Sequence, residues 1–206
     1  MNAINLTAMH RRLDCPLTLA SRLLLLAGIA VLVAAAFLPL WRIELHAPQY
    51  SEGLTLEMYA HKIVGGNGGQ DLAEINTLNH YIGMKAIEPA DFVEMKVIPF
   101  AVGMFALLAL RAAAIGRIVN LVDLAVLFLY FGAFSLGSFA YRLYSYGHNL
   151  DPRAPMTIEP FMPVVIGTQQ IANFTQTSLP AIGTAAMTLF FVLLIASLWL
   201  SWRRAR

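Results

Sequence analysis

Four long runs of apolar side chains, each nearly free of charge, constrain this chain more than any other feature it has. The first extends from Ser21 to Trp41 and reads S-R-L-L-L-L-A-G-I-A-V-L-V-A-A-A-F-L-P-L-W. At a rise of about 1.5 Å per residue, roughly 20 residues of helix cross a hydrocarbon layer about 30 Å thick. The second run extends from Val97 to Ile115, with Pro99 read into its first turn, where a missing N–H costs nothing. The third extends from Ile118 to Tyr141 and the fourth from Pro180 to Trp202. Only Gly116 and Arg117 separate the second run from the third, which predicts a tight antiparallel helical hairpin. Composition points the same way. Of the 206 residues, 58% are hydrophobic and 13% charged, against about 45–50% and about 25% in soluble domains. So much apolar surface behind so little charge calls for lipid as a second solvent.

The first run could also be read as a cleavable signal, because His10, Arg11, Arg12 and Arg22 supply a basic flank. The run is longer than the roughly 7–15 residues of a signal core. It also ends in Pro39-Leu40-Trp41-Arg42, without a polar, small-residue cleavage segment. A retained anchor is therefore expected. Orientation follows from basic residues near the span ends. Arg11, Arg12, Arg22, Arg111, Arg117, Arg203, Arg204 and Arg206 lie on one side, opposed only by Asp14. The other side carries six basic and ten acidic residues. Both termini are thus expected in the cytoplasm, with Trp41, Tyr141, Tyr144, Trp199 and Trp202 at the membrane interfaces.

The expected fold class is a membrane all-α four-helix bundle with a small α+β extracytoplasmic cap formed by two loops. Its parts are cytoplasmic ends at 1–20 and 203–206, spans at 21–41, 97–115, 118–141 and 180–202, and outward-facing loops at 42–96 and 142–179. Gly28, Ala133, Gly137 and Ala140 are small enough to let spans approach closely. Asp123, the one acid inside a span, sits about a turn from the cytoplasmic end, where interfacial water or Arg117 can reach it. No span carries a histidine, which argues against a proton relay or an embedded metal or haem site.

Several function classes fall away. A net charge of +2 without a basic, aromatic-interleaved patch argues against nucleic acid. The single cysteine, Cys15, cannot form an internal disulfide, a redox pair or a cysteine zinc site. No hydrolase triad, H-E-x-x-H pair or phosphate-cradling loop occurs in its required context, so no enzyme activity is expected. Gly65-Gly66-Asn67-Gly68-Gly69 lacks the Lys-Ser/Thr of a phosphate loop and reads as a flexible turn.

Within the loops, 54–64 alternates as a strand, while 71–81 places Leu72, Ile75, Leu78 and Ile82 at helical spacing. Glu88-Pro89-Ala90-Asp91 reads as a helix start, 144–152 as turn-rich, and 168–174 as a short helix. Four histidines fall in these loops, His46, His61, His80 and His148, together with Met58, Met84, Met95, Met156 and Met162. Imidazole and thioether donors together select Cu(I), in compartments too oxidising for free thiols. His80 and Met84 share a face if the helix persists that far; if Gly83 ends it, they sit on a turn. Met58 and His61 share a face on a helix but point apart on a strand. The competing reading is that methionine fills gaps in cores and that the histidines are incidental. No dense M-x-x-M or H-x-H run is present.

The exit L-P-L-W from the first span, E-L-H-A-P-Q-Y-S-E-G-L, N-H-Y-I-G-M and Y-G-H-N-L-D-P together resemble a family of small bacterial four-helix membrane proteins. That family is associated with copper chaperones of the NosL type and with maturation of nitrous oxide reductase. The resemblance covers Pro39 to Asn173. It implies a bacterial inner-membrane protein with periplasmic loops, working near copper delivery, with His46, Met58, His61, His80, Met84 and His148 at the matching positions. The expectation is an accessory protein that binds or relays Cu(I) for a copper enzyme. His80 and Met84 are the primary ligands, and Met58, His61 and His148 complete the site. A periplasmic copper chaperone or copper reductase is the expected partner, besides membrane lipid. The alternative is a ligand-free structural or assembly subunit of a membrane complex.

Overall fold

The computed structural model describes residues 9–171 and 173–205. In chain order the principal elements are α1 (Leu19–Ala35), β1 (Pro39–Ala47), β2 (Tyr50–Tyr59), β3 (Ile63–Gly65), α2 (Gln70–Tyr81), α3 (Glu94–Ile115), α4 (Ile118–His148), β4 (Gly167–Ile171), β5 (Phe174–Pro180) and α5 (Ile182–Arg204). They fall into two units. One holds the residues up to Ala36, Pro99–Ala133 and those from Ala185 onward; the other holds Phe37–Ile98 and Phe134–Thr184.

The first unit is helical. Among the described residues, three helices, α3, α4 and α5, are long and apolar enough to cross a membrane, and α1 is a shorter apolar helix of 17 residues. Thr18 starts α1 by accepting a hydrogen bond from the Ser21 amide at 3.1 Å, which satisfies one of the open N–H groups of a helix start. Ser21 Oγ donates to the Ser197 carbonyl at 2.8 Å and Ser197 Oγ donates back to the Ser21 carbonyl at 3.0 Å. This reciprocal pair fixes α1 against α5. Gly28 lies where a Cβ would come within 3.2 Å of the Phe190 ring, so the close approach expected there is real. At Gly137, by contrast, a Cβ would meet nothing within 4 Å, and Ala133 is exposed. The packing core is aromatic instead: Phe128 lies 5.2 Å from Phe105 and 5.0 Å from Phe190.

Two expected span bounds are corrected. The first apolar run stops being helical at Ala35, and Pro39 to Trp41 belong to β1. α3 begins at Glu94, so Pro99 falls in its second turn. There the ring removes the bond that residue 99 would make to the Met95 carbonyl.

The second unit is built on a five-stranded antiparallel sheet in the order β3-β2-β1-β5-β4. Strand β1 alternates cleanly: Ile43, Leu45 and Ala47 are buried, while Arg42 and His46 are exposed. Leu54 and Leu56 of β2, Ile63 of β3, and Ile75, Leu78 and Ile82 from α2 and its end join the same core. The anticipated single strand over 54–64 is two, β2 and β3, joined by a turn. The short helix anticipated at 168–174 is instead the hairpin of β4 and β5, with Gln169 opposite Gln176. Helix α4 continues to His148, through the first half of the stretch read as turns. Its last part contributes to this core, with Phe139 5.0 Å from Trp41 and Tyr146 6.5 Å from Phe92. A small cap on an otherwise helical protein understates this unit. The protein is mixed helix and sheet.

Candidate functional site: a thioether-lined cavity in the sheet unit

Helix α2 ends in a way that decides the fate of its donor residues. Gly83 takes φ 79, its amide bonds the His80 carbonyl at 3.2 Å, and the Met84 amide bonds the Asn79 carbonyl at 2.8 Å. This pairing is a Schellman motif, in which a left-handed glycine closes the helix and the next residue packs back over its last turn. Met84 accordingly packs against the hydrophobic core. The Asn76 amide clamps the chain beyond it, accepting from Ile87 N at 2.7 Å and donating to Ile87 O at 3.3 Å.

The segment 151–156 lies along this turn. Asp151 N donates to Gly83 O at 2.8 Å, and Met156 N to Tyr81 O at 2.9 Å. A Cβ on Gly83 would stand 2.8 Å from the Asp151 carbonyl oxygen. The segments 42–96 and 142–179 therefore meet at N-H-Y-I-G-M, although their donor side chains do not form one cluster.

Met58, near the end of β2, and Met84 line the same cavity, which has a volume of about 70 Å³ and almost wholly apolar walls. Ile43, Leu56, Ile75 and Phe92 contribute to those walls, with Asn79, Arg142, Tyr146 and Gln176 as polar members. His80 is exposed in the last turn of α2, away from the buried stripe of Ile75, Leu78 and Asn79. His61 is exposed in the turn after β2, its ring 6.2 Å from Tyr59 and 6.5 Å from Phe37. His148 ends α4, stacked on Tyr144 at 3.7 Å, with Nδ1 3.0 Å from the Tyr144 carbonyl. His46 is exposed on β1 beside Gly53. Met156 and Met162 are also exposed, and Met95 packs against the core. Among the described residues, no group of three or more His, Cys, Asp or Glu is placed to hold a metal.

Sequence reasoning passed over Asn79. It is 4% exposed, and its Nδ2 has no hydrogen-bond partner among the described residues. Its signal was a polar residue four positions after Ile75 on a buried helical stripe. Arg142 and Glu94 were also missed. The Arg142 Nη2 reaches Glu94 Oε1 at 2.9 Å and Oε2 at 2.7 Å, and Ser138 Oγ donates to Oε1 at 2.8 Å. The guanidinium also lies 4.6 Å from the Phe92 ring centre.

A second, polar groove of about 340 Å³ runs past Arg42, Glu52, Glu57 and Asp71. Its buried acid, Asp71, is already committed to the fold, accepting from Thr55 N at 2.8 Å and from Asn67 Nδ2 at 2.8 Å.

These features define a class: a chain with apolar helices of membrane-crossing length and a folded antiparallel-sheet unit that carries a small thioether-lined cavity. No protein-family model, curated protein or solved structure matches the chain.

Proposed function

We propose that this is a bacterial inner-membrane accessory protein that holds Cu(I) as cargo on the outer side of the membrane, between the thioethers of Met58 and Met84. In this reading all four apolar helices span the bilayer as a bundle, both termini are cytoplasmic, and the sheet unit is periplasmic. The observation that carries the copper assignment is that Met58 and Met84, 26 positions apart in sequence, line one apolar cavity. Two neutral, soft sulfurs suit Cu(I) over harder cations, and an incomplete donor set suits cargo that has to leave again. The donor set differs from the expected one, since His80, His61 and His148 lie outside the cavity wall. The likeness of N-H-Y-I-G-M and Y-G-H-N-L-D-P to proteins associated with copper delivery supports the same reading. A periplasmic copper chaperone or a copper reductase is the partner it implies.

The test is a Cu(I) titration of the full-length protein against a competing chelator. Met58→Leu with Met84→Leu keeps volume and apolarity, which cores tolerate well. The double variant should bind Cu(I) more weakly by at least about tenfold, the scale on which metal-site losses act, with unfolding unchanged. Equal binding by wild type and variant sinks the assignment. A second reading is favoured by the walls themselves: methionine fills irregular gaps in apolar cores, and both residues pack against this one. On that reading the protein is a ligand-free assembly subunit, and the double variant supports full activity in the cell.

A further inference from the structure

We infer that the α3–α4 hairpin docks on a second copy of this chain within the membrane, with Arg111 of each copy paired to Asp123 of the other. The inference rests on α3 and α4 crossing the bilayer and is independent of copper. Arg111 lies four residues before the end of α3, and Asp123 five residues after the start of α4. At about 1.5 Å per residue, both sit about 6–8 Å in from the turn that joins the helices. Both are exposed, and their neighbours one or two helical turns away are exposed apolar side chains, Leu107 on α3 and Val126, Leu127 and Tyr130 on α4. Among the described residues neither charge has an ion-pair or hydrogen-bond partner. Arg117, which the sequence offers to Asp123, lies 3.0 Å from Asp14 instead. A carboxylate on a lipid-facing helix is costly unless it is paired. The long Arg111 side chain can reach headgroup phosphates, but Asp123 is short and those phosphates repel it. Lipid thus answers one of the two charges. A partner that answers both presents an acid and a base at one depth, as a second copy inserted in the same direction does. A two-fold axis along the membrane normal makes the contact self-complementary, so a single interface forms the pair twice. Room for close approach exists at Gly103, two turns from Arg111 on the same face, where a Cβ would meet nothing within 4 Å.

The test is energy transfer between full-length copies labelled at Cys15, the single cysteine, with donor or acceptor dye in phosphatidylcholine–phosphatidylglycerol vesicles. Wild type should show transfer that unlabelled wild type dilutes out. Arg111→Asp alone and Asp123→Arg alone should each associate at least about tenfold more weakly, because each sets like charges against one another at both contacts. Mixed in equal amounts, the two variants should recover transfer, since one copy then carries two acids and the other two bases. A pairing within one chain would be broken in both variants and not restored by mixing. Undiminished transfer in the single variants, or no recovery when variants of wild-type unfolding temperature are mixed, overturns the reciprocal pairing. Asp123→Asn, which keeps the side-chain shape, should weaken association in the same direction. Should the reversed variants not fold, undiminished transfer in Asp123→Asn overturns it instead. Absence of transfer in wild type that resists alkaline carbonate extraction from membranes overturns the second copy alone. Release of wild type by carbonate sinks the membrane reading, and the docking falls with it.

Discussion

Gly83 shows how a single residue sets the chemistry of this site. With φ 79 and the Asp151 carbonyl oxygen 2.8 Å from where a Cβ would stand, it closes α2, turns Met84 onto the core and leaves room for the segment around Asp151. Had another residue prolonged the helix, His80 and Met84 would have shared an exposed face. Gly83→Ala should therefore destabilise the protein by about 1–2 kcal/mol from the left-handed backbone alone, with the contact to Asp151 adding to it. Thermal unfolding of the full-length protein reads this directly, and an unchanged midpoint would contradict the assigned cap. The ambiguity at this residue was visible in the sequence. Which alternative holds depends on the partner segment around Asp151, far along the chain. Asn79 was legible only in part: its place on the stripe of Ile75, Leu78 and Ile82 marks it as inward-facing, but nothing local shows that its amide lacks a partner.

At the scale of elements, the long apolar helices were the easiest to read, because each needs only its own composition. Strand β1 was legible and overlooked. W-R-I-E-L-H-A alternates with period two, but the apolar run before it drew the span boundary too far, to Trp41. Strand β5 was hidden for a physical reason: its inward positions include Gln176 and Ser178, both buried, so the apolar alternation that marks a strand is absent. Ser178 is tolerated inside because its Oγ donates to the Val165 carbonyl and accepts from Trp41 Nε1, both at 2.8 Å. The glycine run after β3 is likewise more than a flexible turn, since a Cβ on Gly66 would strike the Asp71 carboxylate at 2.4 Å. Helix α1, with 17 residues, measures about 25 Å at roughly 1.5 Å per residue, at the short end for a membrane crossing, so its topology calls for a direct test. In spheroplasts, an impermeant maleimide should leave Cys15 unlabelled until the membrane is permeabilised. In a Cys15→Ser background, Glu52→Cys should label at once. Labelling of both from the same side would remove α1 as a span.

For the molecule as a whole, the two units differ in the solvent their surfaces suit. The helical unit buries Phe128, Phe190 and Leu194 but exposes Leu23 at 58%, Leu107 at 68% and Val192 at 54%, a surface matched to lipid rather than water. The sheet unit has an apolar interior behind a sheet face that carries Arg42, Glu44, His46, Thr175 and Thr177. Composition announced the first kind of unit. The second was underestimated because a sheet draws its stability from pairings between strands distant in sequence, β1 with β5 above all. The candidate site belongs to that second kind of order. Residue type located the soft donors, but only the long-range pairing brings Met58 and Met84 to one cavity and leaves the histidines outside it. The most direct measurement of this claim is X-ray absorption at the copper edge of the Cu(I)-loaded, full-length protein. The account predicts sulfur scattering that disappears in the Met58→Leu, Met84→Leu variant and is unaffected by His80→Ala. A nitrogen-only shell, lost on His80→Ala and indifferent to the methionines, would contradict it.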